Sequence, residues 1–204
     1  VTELVSLQEP TEPESRPRTS RVKILLAVLG VSVVVASLTL GPTVWRMVSQ
    51  RSPELTVPPN VGTFTVHTSE VGKQASSDLI TALRAEFDDD LSNTIDAIYL
   101  DADQNVNKSV IIAAATVFLF NPEAELGTFM AIAGGSGDSS QLTTVEPGPL
   151  NGHMKCGESG EGQDLLTYCG WADHGSIAIA LFPGRSINEA AKLMVEIRGA
   201  IQKR

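Results

Sequence analysis

The run Ile24–Leu40, ILLAVLGVSVVVASLTL, carries no charge and limits what this chain can fold into more than any other stretch. A helix rises about 1.5 Å per residue, so crossing a ~30 Å hydrocarbon core takes about 20 residues. Extended through Gly41, Pro42, Thr43 and Val44, the run reaches that length. Trp45 then falls where indole rings gather at lipid headgroups. The expectation is a transmembrane helix over residues 21–45, with Ile24 to Val44 against the membrane. Arg16, Arg18, Arg21 and Lys23 precede the run, while Arg46 and Arg51 follow it. That bias puts the N-terminus in the cytoplasm and the rest of a single-pass chain outside. A cleaved signal peptide is the competing reading, with Val34 and Ala36 as a weak cleavage pair. Both readings export the C-terminal part. A buried core helix fits less well, because the run is apolar on every face.

Charge and composition divide the chain further. Residues 1–20 mix Pro10, Pro13 and Pro17 with Glu, Ser, Thr and Arg, and read as a disordered cytoplasmic tail. Residues 46–61 hold Pro53, Pro58 and Pro59 and read as a Pro-rich linker. Residues 62–204 have the length of one ordinary domain with a real core. The formal charge is -9, and the excess lies after the apolar run. An acidic surface argues against nucleic acid as a partner and against adhesion to anionic lipid.

Within 62–204, strand and helix signals alternate. Phe64 and Val66 alternate with Thr63, Thr65 and His67 as in a strand. Leu79, Ile80, Leu83 and Phe87 repeat at helical spacing over 76–88. Ile95 to Ala102 and the apolar run Val110 to Phe120 read as a strand pair, the second central and buried. Asn121 and Pro122 form the cap and first residue of a helix that ends at Gly134-Gly135-Ser136-Gly137. Strand candidates follow at 142–145, 165–171 and 177–182, with a tight turn over Ala172-Asp173-His174-Gly175. Ser186 and Glu189 make a capping box for a last helix, whose stripe is Ile187, Ala190, Ala191, Met194, Ile197 and Ile201. The fold class expected is α+β: a transmembrane helix, then one exported domain with an antiparallel or mixed sheet packed against helices. Its start follows a ferredoxin-like β-α-β-β-α-β order.

The chain has two cysteines, Cys156 and Cys169. Outside the cytoplasm a lone pair reads most simply as a disulfide. A redox pair would sit closer, and no standard zinc pattern fits the two with His153 or His174. Asp101, Asp103 and Asn105 open like a calcium loop, but Val106 stands where Gly is needed and Ile112 where Glu is needed. The acidic cluster Glu86, Asp88, Asp89 and Asp90 reads as a solvated helix end. No cofactor or metal is expected. His67, His153 and His174 are scattered, and no G-x-S-x-G elbow is complete.

Cys156 to Phe182 is the most distinctive segment. The Gly148–Gly152 approach (GPLNG), Cys156, the block Cys169-Gly170-Trp171-Ala172-Asp173 and the Ala-Lys-Leu-Met-containing terminal helix resemble exported or single-pass proteins of actinobacteria. The resemblance covers about the last 60 residues. It implies an envelope location and a disulfide-tied fold, and brings no catalytic set. The function expected is a membrane-anchored extracytoplasmic binding or interaction module of the cell envelope. Its partner would be an envelope protein or a peptide. Trp171, Asp173 and His174 are its candidate functional residues. The alternatives are an exported hydrolase using His174, Asp173 and Ser176, or a carrier for a small apolar ligand.

Overall fold

The computed structural model describes residues 21–51, 53–67, 70–103, 105–135, 137–160 and 165–203. The expected N-terminal tail, 1–20, lies outside them. Two compact units are present, Val1–Val44 and Trp45–Arg204.

Helix α1 runs Arg21–Gln50. The expected membrane-spanning segment is corrected here: among the described residues, no helix is long and apolar enough to cross a membrane. As a helix, the uncharged run Ile24–Leu40 is only about 25 Å long. Completing a span takes Gly41, Pro42, Thr43 and Val44, only the last of which is a strongly apolar residue type.

The second unit is α+β. Its strands are β1 (Glu54–Leu55), β2 (Asn60–Val61), β3 (Phe64–Val66), β4 (Ser92–Leu100), β5 (Val110–Thr116), β6 (Thr143–Val145), β7 (His153–Ser159), β8 (Leu166–Asp173), β9 (Ser176–Pro183) and β10 (Gln202–Lys203). Its helices are α2 (Glu70–Phe87), α3 (Pro122–Ala133) and α4 (Ile187–Ile201). Eight strands form one sheet in the order β2-β3-β4-β5-β9-β8-β7-β6. Every pairing in it is antiparallel.

That order also corrects the ferredoxin-like expectation. A split β-α-β unit leaves a gap between its two strands for a third to enter. Here β3 and β4 flank α2 yet are direct neighbours, Val66 opposite Tyr99. The sheet is built from two meanders, β3-β4-β5 and β7-β8-β9, joined in the middle by β5 and β9.

Side chains on alternate strand positions point to opposite faces. On one face Tyr99, Ile112, Ala114, Met154, Trp171, Ala178, Ala180 and Phe182 pack with Ala190, Met194, Ile197 and Ile201 of α4. On the other, Ala113, Tyr168, Ala172, Ile177 and Ile179 pack with Leu83 of α2 and Leu126, Phe129 and Met130 of α3. Helices on both faces explain why the expected central strand has no polar alternation: β5 is sandwiched. The strand stops at Thr116, however, and Phe118 and Phe120 stand 56% and 74% exposed.

The helix caps form as their residues require. Asn121 accepts from the Ala124 N–H, and Pro122 opens α3. The Ser186–Glu189 capping box starts α4. Of residues 46–61, expected as a spacer, 53–61 are instead woven into this unit. Leu55 pairs with Gln202, Asn60 with Thr65, and Leu55 and Val61 are buried in the core. Strand β7 was not among the sequence candidates, because Lys155, Gly157 and Glu158 interrupt its apolar pattern.

Candidate functional site

The tight β8–β9 turn places Asp173, His174, Gly175 and Ser176 within four residues. Asp173 is fully buried. Its Oδ2 lies 2.8 Å from Arg198 Nη2 and accepts from Gln202 Nε2 at 2.8 Å, while Oδ1 accepts from the Gly175 N–H at 2.9 Å. Arg198 also donates to the carbonyls of Pro147 and Asn151 at 3.2 and 2.7 Å and to Gln202 Oε1 at 2.9 Å. Its guanidinium lies 5.5 Å from the Trp171 ring centroid. Ser176 Oγ, also fully buried, accepts from Gln202 Nε2 at 3.1 Å and from the Trp171 indole N–H at 3.4 Å.

Asp173, Trp171 and Ser176 therefore meet in one network, closed over by α4. The network is a polar plug in the core. A buried ion pair survives desolvation only when its remaining hydrogen-bonding groups are met, and here they are. Ser176 Oγ has no open side from which a substrate carbonyl could approach. The His174 ring points elsewhere, with Nδ1 2.9 Å from the Leu119 carbonyl, and the His174 backbone N–H donates to Gln50 Oε1 at 3.2 Å. Its contacts tie the end of α1 and the segment after β5 to the turn.

Cys156 and Cys169 form the disulfide, as the sequence predicts, with Cα atoms 4.1 Å apart. They face each other directly across β7 and β8. His153 lies 3.6 Å from Glu123, and Lys155 lies 4.0 Å from the same carboxylate, beside a small cleft at the start of α3. Among the described residues no group of three or more His, Cys, Asp or Glu could hold a metal ion.

Sequence reasoning passed over a different place. An open cleft of about 420 Å³ is lined by Thr63, Phe64, Asp101, Lys108, Gly184, Arg185, Glu189, Lys192 and Leu193. Three parts of the fold converge on it: the β2–β3 turn, the β4–β5 connection and the first turns of α4. Gly184, at φ +62°, turns the chain sharply out of β9 and delivers Arg185 to the cleft floor.

Arg185 is only 8% exposed. Its Nη1 donates to the Ser109 carbonyl at 3.2 Å, and its guanidinium lies 5.5 Å from the Phe64 ring centroid. Burial pulls its pKa below the ordinary value, and Asp101 and Glu189 oppose that shift. The Asp101 carboxyl is held below its usual range by the Ala102 N–H, then by Thr63, with Arg185 and Lys108 adding to the effect. Glu189 is lowered by the Ser186 N–H and hydroxyl, with Arg185 and Lys108 again contributing.

No protein-family model and no curated protein matches this chain.

Two signals for these arginines were present in the sequence. Arg198 sits four residues after the core residue Met194, on the buried side of α4, and so demanded a buried counter-charge. Arg185 lies between a strand-ending Pro183-Gly184 and a helix cap, the join where side chains from several elements collect.

Proposed function

We propose that the chain is an extracytoplasmic binding module that takes a small polar ligand in the Arg185 cleft. The observation that carries this reading is Arg185 itself. A mostly buried arginine here is held, among the described residues, by one hydrogen bond donated from its guanidinium and by a ring face, at a cleft of about 420 Å³. Small-molecule sites are concave, fall in this size range and rest on a few fixed polar groups. The charged lining does not suit the apolar cargo of a carrier. A hydrolase built on Ser176 would need its nucleophile out of the core.

The cross-strand disulfide supports an oxidising compartment, since such bonds are rare where thioredoxin and glutathione keep thiols reduced. The resemblance of the Cys169–Asp173 block to exported proteins points the same way.

The test is a thermal-shift screen of the purified full chain and its Arg185→Ala variant against small polar compounds. At least one compound raises the Tm of the unaltered chain at ligand excess and leaves the variant unmoved. If every stabilising compound acts equally on both, the cleft is not the binding site.

A further inference from the structure

We infer that the Arg185 cleft recognises the carboxylate of a small monoanionic organic acid; this rests on the reading of the cleft as a ligand site and names its chemistry. The argument begins with which charges around the cleft are already occupied. Asp101 accepts from the Ala102 N–H at 2.7 Å and bonds the Thr63 hydroxyl. Glu189 Oε2 accepts from the Ser186 N–H at 3.1 Å and its hydroxyl at 2.8 Å. Both carboxylates are spent on their own loop or helix start.

The cations are not. Among the described residues, Lys108 and Lys192 form no ion pair within 4.0 Å, and both side chains are exposed. Arg185 lines the cleft and, among the described residues, commits only Nη1 of its guanidinium to a hydrogen bond, with Ser109. Its Nε and Nη2 lie on one edge of the planar guanidinium. Their parallel N–H bonds match the two oxygens of a carboxylate. The Phe64 ring centroid lies 5.5 Å from the guanidinium, within cation–π range.

Charge balance selects the valence of the ligand. Three cations, Lys108, Arg185 and Lys192, face two carboxylates, Asp101 and Glu189. One positive charge is in excess, and one carboxylate neutralises it. A phosphate dianion would bring a second negative charge beside Asp101 and Glu189, one more than the cleft's cations can match. Phe64 and Leu193 leave an apolar wall for a short hydrocarbon tail.

The experiment is equilibrium binding to the purified full chain of acetate, butyrate, succinate, inorganic phosphate and butyramide. Butyrate is expected to bind saturably and its neutral isostere butyramide not to bind. Arg185→Lys keeps the charge but loses the fork and is expected to weaken butyrate by about tenfold or more. Lys192→Ala alters an exposed side chain, so folding is retained, and is expected to weaken butyrate by about two- to fivefold in low salt. A cooperative thermal unfolding transition at a Tm close to that of the unaltered chain certifies the folding of Arg185→Lys. If phosphate binds more tightly than every monocarboxylate, the ligand class is overturned while the cleft stands as a ligand site. Equal binding of butyrate and butyramide, or unchanged affinity in Arg185→Lys, overturns the carboxylate fork. If no probe binds, the inference falls, and the cleft itself is then judged by the thermal-shift screen with Arg185→Ala.

Discussion

Asp173 and Arg198 are 0% and 1% exposed, so each is a full charge held in the core by the other and by neighbouring dipoles. Removing one partner strands the other. Asp173→Asn is expected to cost about 3–5 kcal/mol, read from the urea midpoint at constant m-value. Replacing both residues by apolar side chains of similar volume should cost much less than the sum of the single losses. The two tyrosines offer a second test. Burial raises the Tyr99 pKa to about 12 and raises that of Tyr168 as well. Each phenol is more easily ionised in the unfolded chain than in the folded one. Their contribution to stability is therefore complete below pH ~10 and is lost as pH climbs from there toward the folded values. An ultraviolet titration of the native protein should show no phenolate step at pH ~10, and alkaline unfolding should release both together.

At the scale of elements, the β7–β8 ladder is where sequence and structure agree most usefully. The disulfide joins residues that the hydrogen-bond register already places opposite each other. It constrains chiefly the unfolded chain, whose loop between the cysteines is short. Cys156→Ala with Cys169→Ala is expected to lower unfolding stability by about 2–4 kcal/mol in guanidinium titrations while the fold is retained. The same ladder explains Gly170. A Cβ there would meet the Ala178 carbonyl at 2.8 Å and Met130 Sδ at 2.8 Å, so glycine lets α3 lie close on the sheet. Helix α4 illustrates how far periodicity reads. Its cap and apolar stripe were legible, yet Arg198 on the same side as Met194 was the residue that specified a partner on another strand.

For the whole second unit, the decisive feature is that residues before the first long strand belong to the core. Leu55 is 3% exposed, its segment pairs with the last residues of α4's extension, and the Asn93 side chain donates to its carbonyl. Leu55→Ala is therefore expected to cost about 2–5 kcal/mol in thermal or urea unfolding, whereas a residue in a free spacer would cost almost nothing. A proline-rich composition suggested a spacer because proline removes a backbone donor. The same property suits short edge pairings, where half of the donors have no partner to lose.

Local chemistry, written in neighbouring residues, specified much of this protein from the chain alone. Asn121-Pro122 and Ser186-x-x-Glu189 start their helices, the Ala172–Gly175 turn joins two strands, the β5 run reads as a buried strand, and two lone cysteines pair. These depend on contacts a few residues long, or on there being only one possible partner. Assembly settled the rest. Strand order, the meander in place of a split unit, the burial of Ser176 and the gathering of Lys108, Arg185 and Lys192 around one cleft all join segments far apart in the chain. Antiparallel strands of similar apolarity can pair in many orders with nearly equal local energy. The choice among them rests on how two helical layers and one buried ion pair fill space together, which no short window of residues encodes.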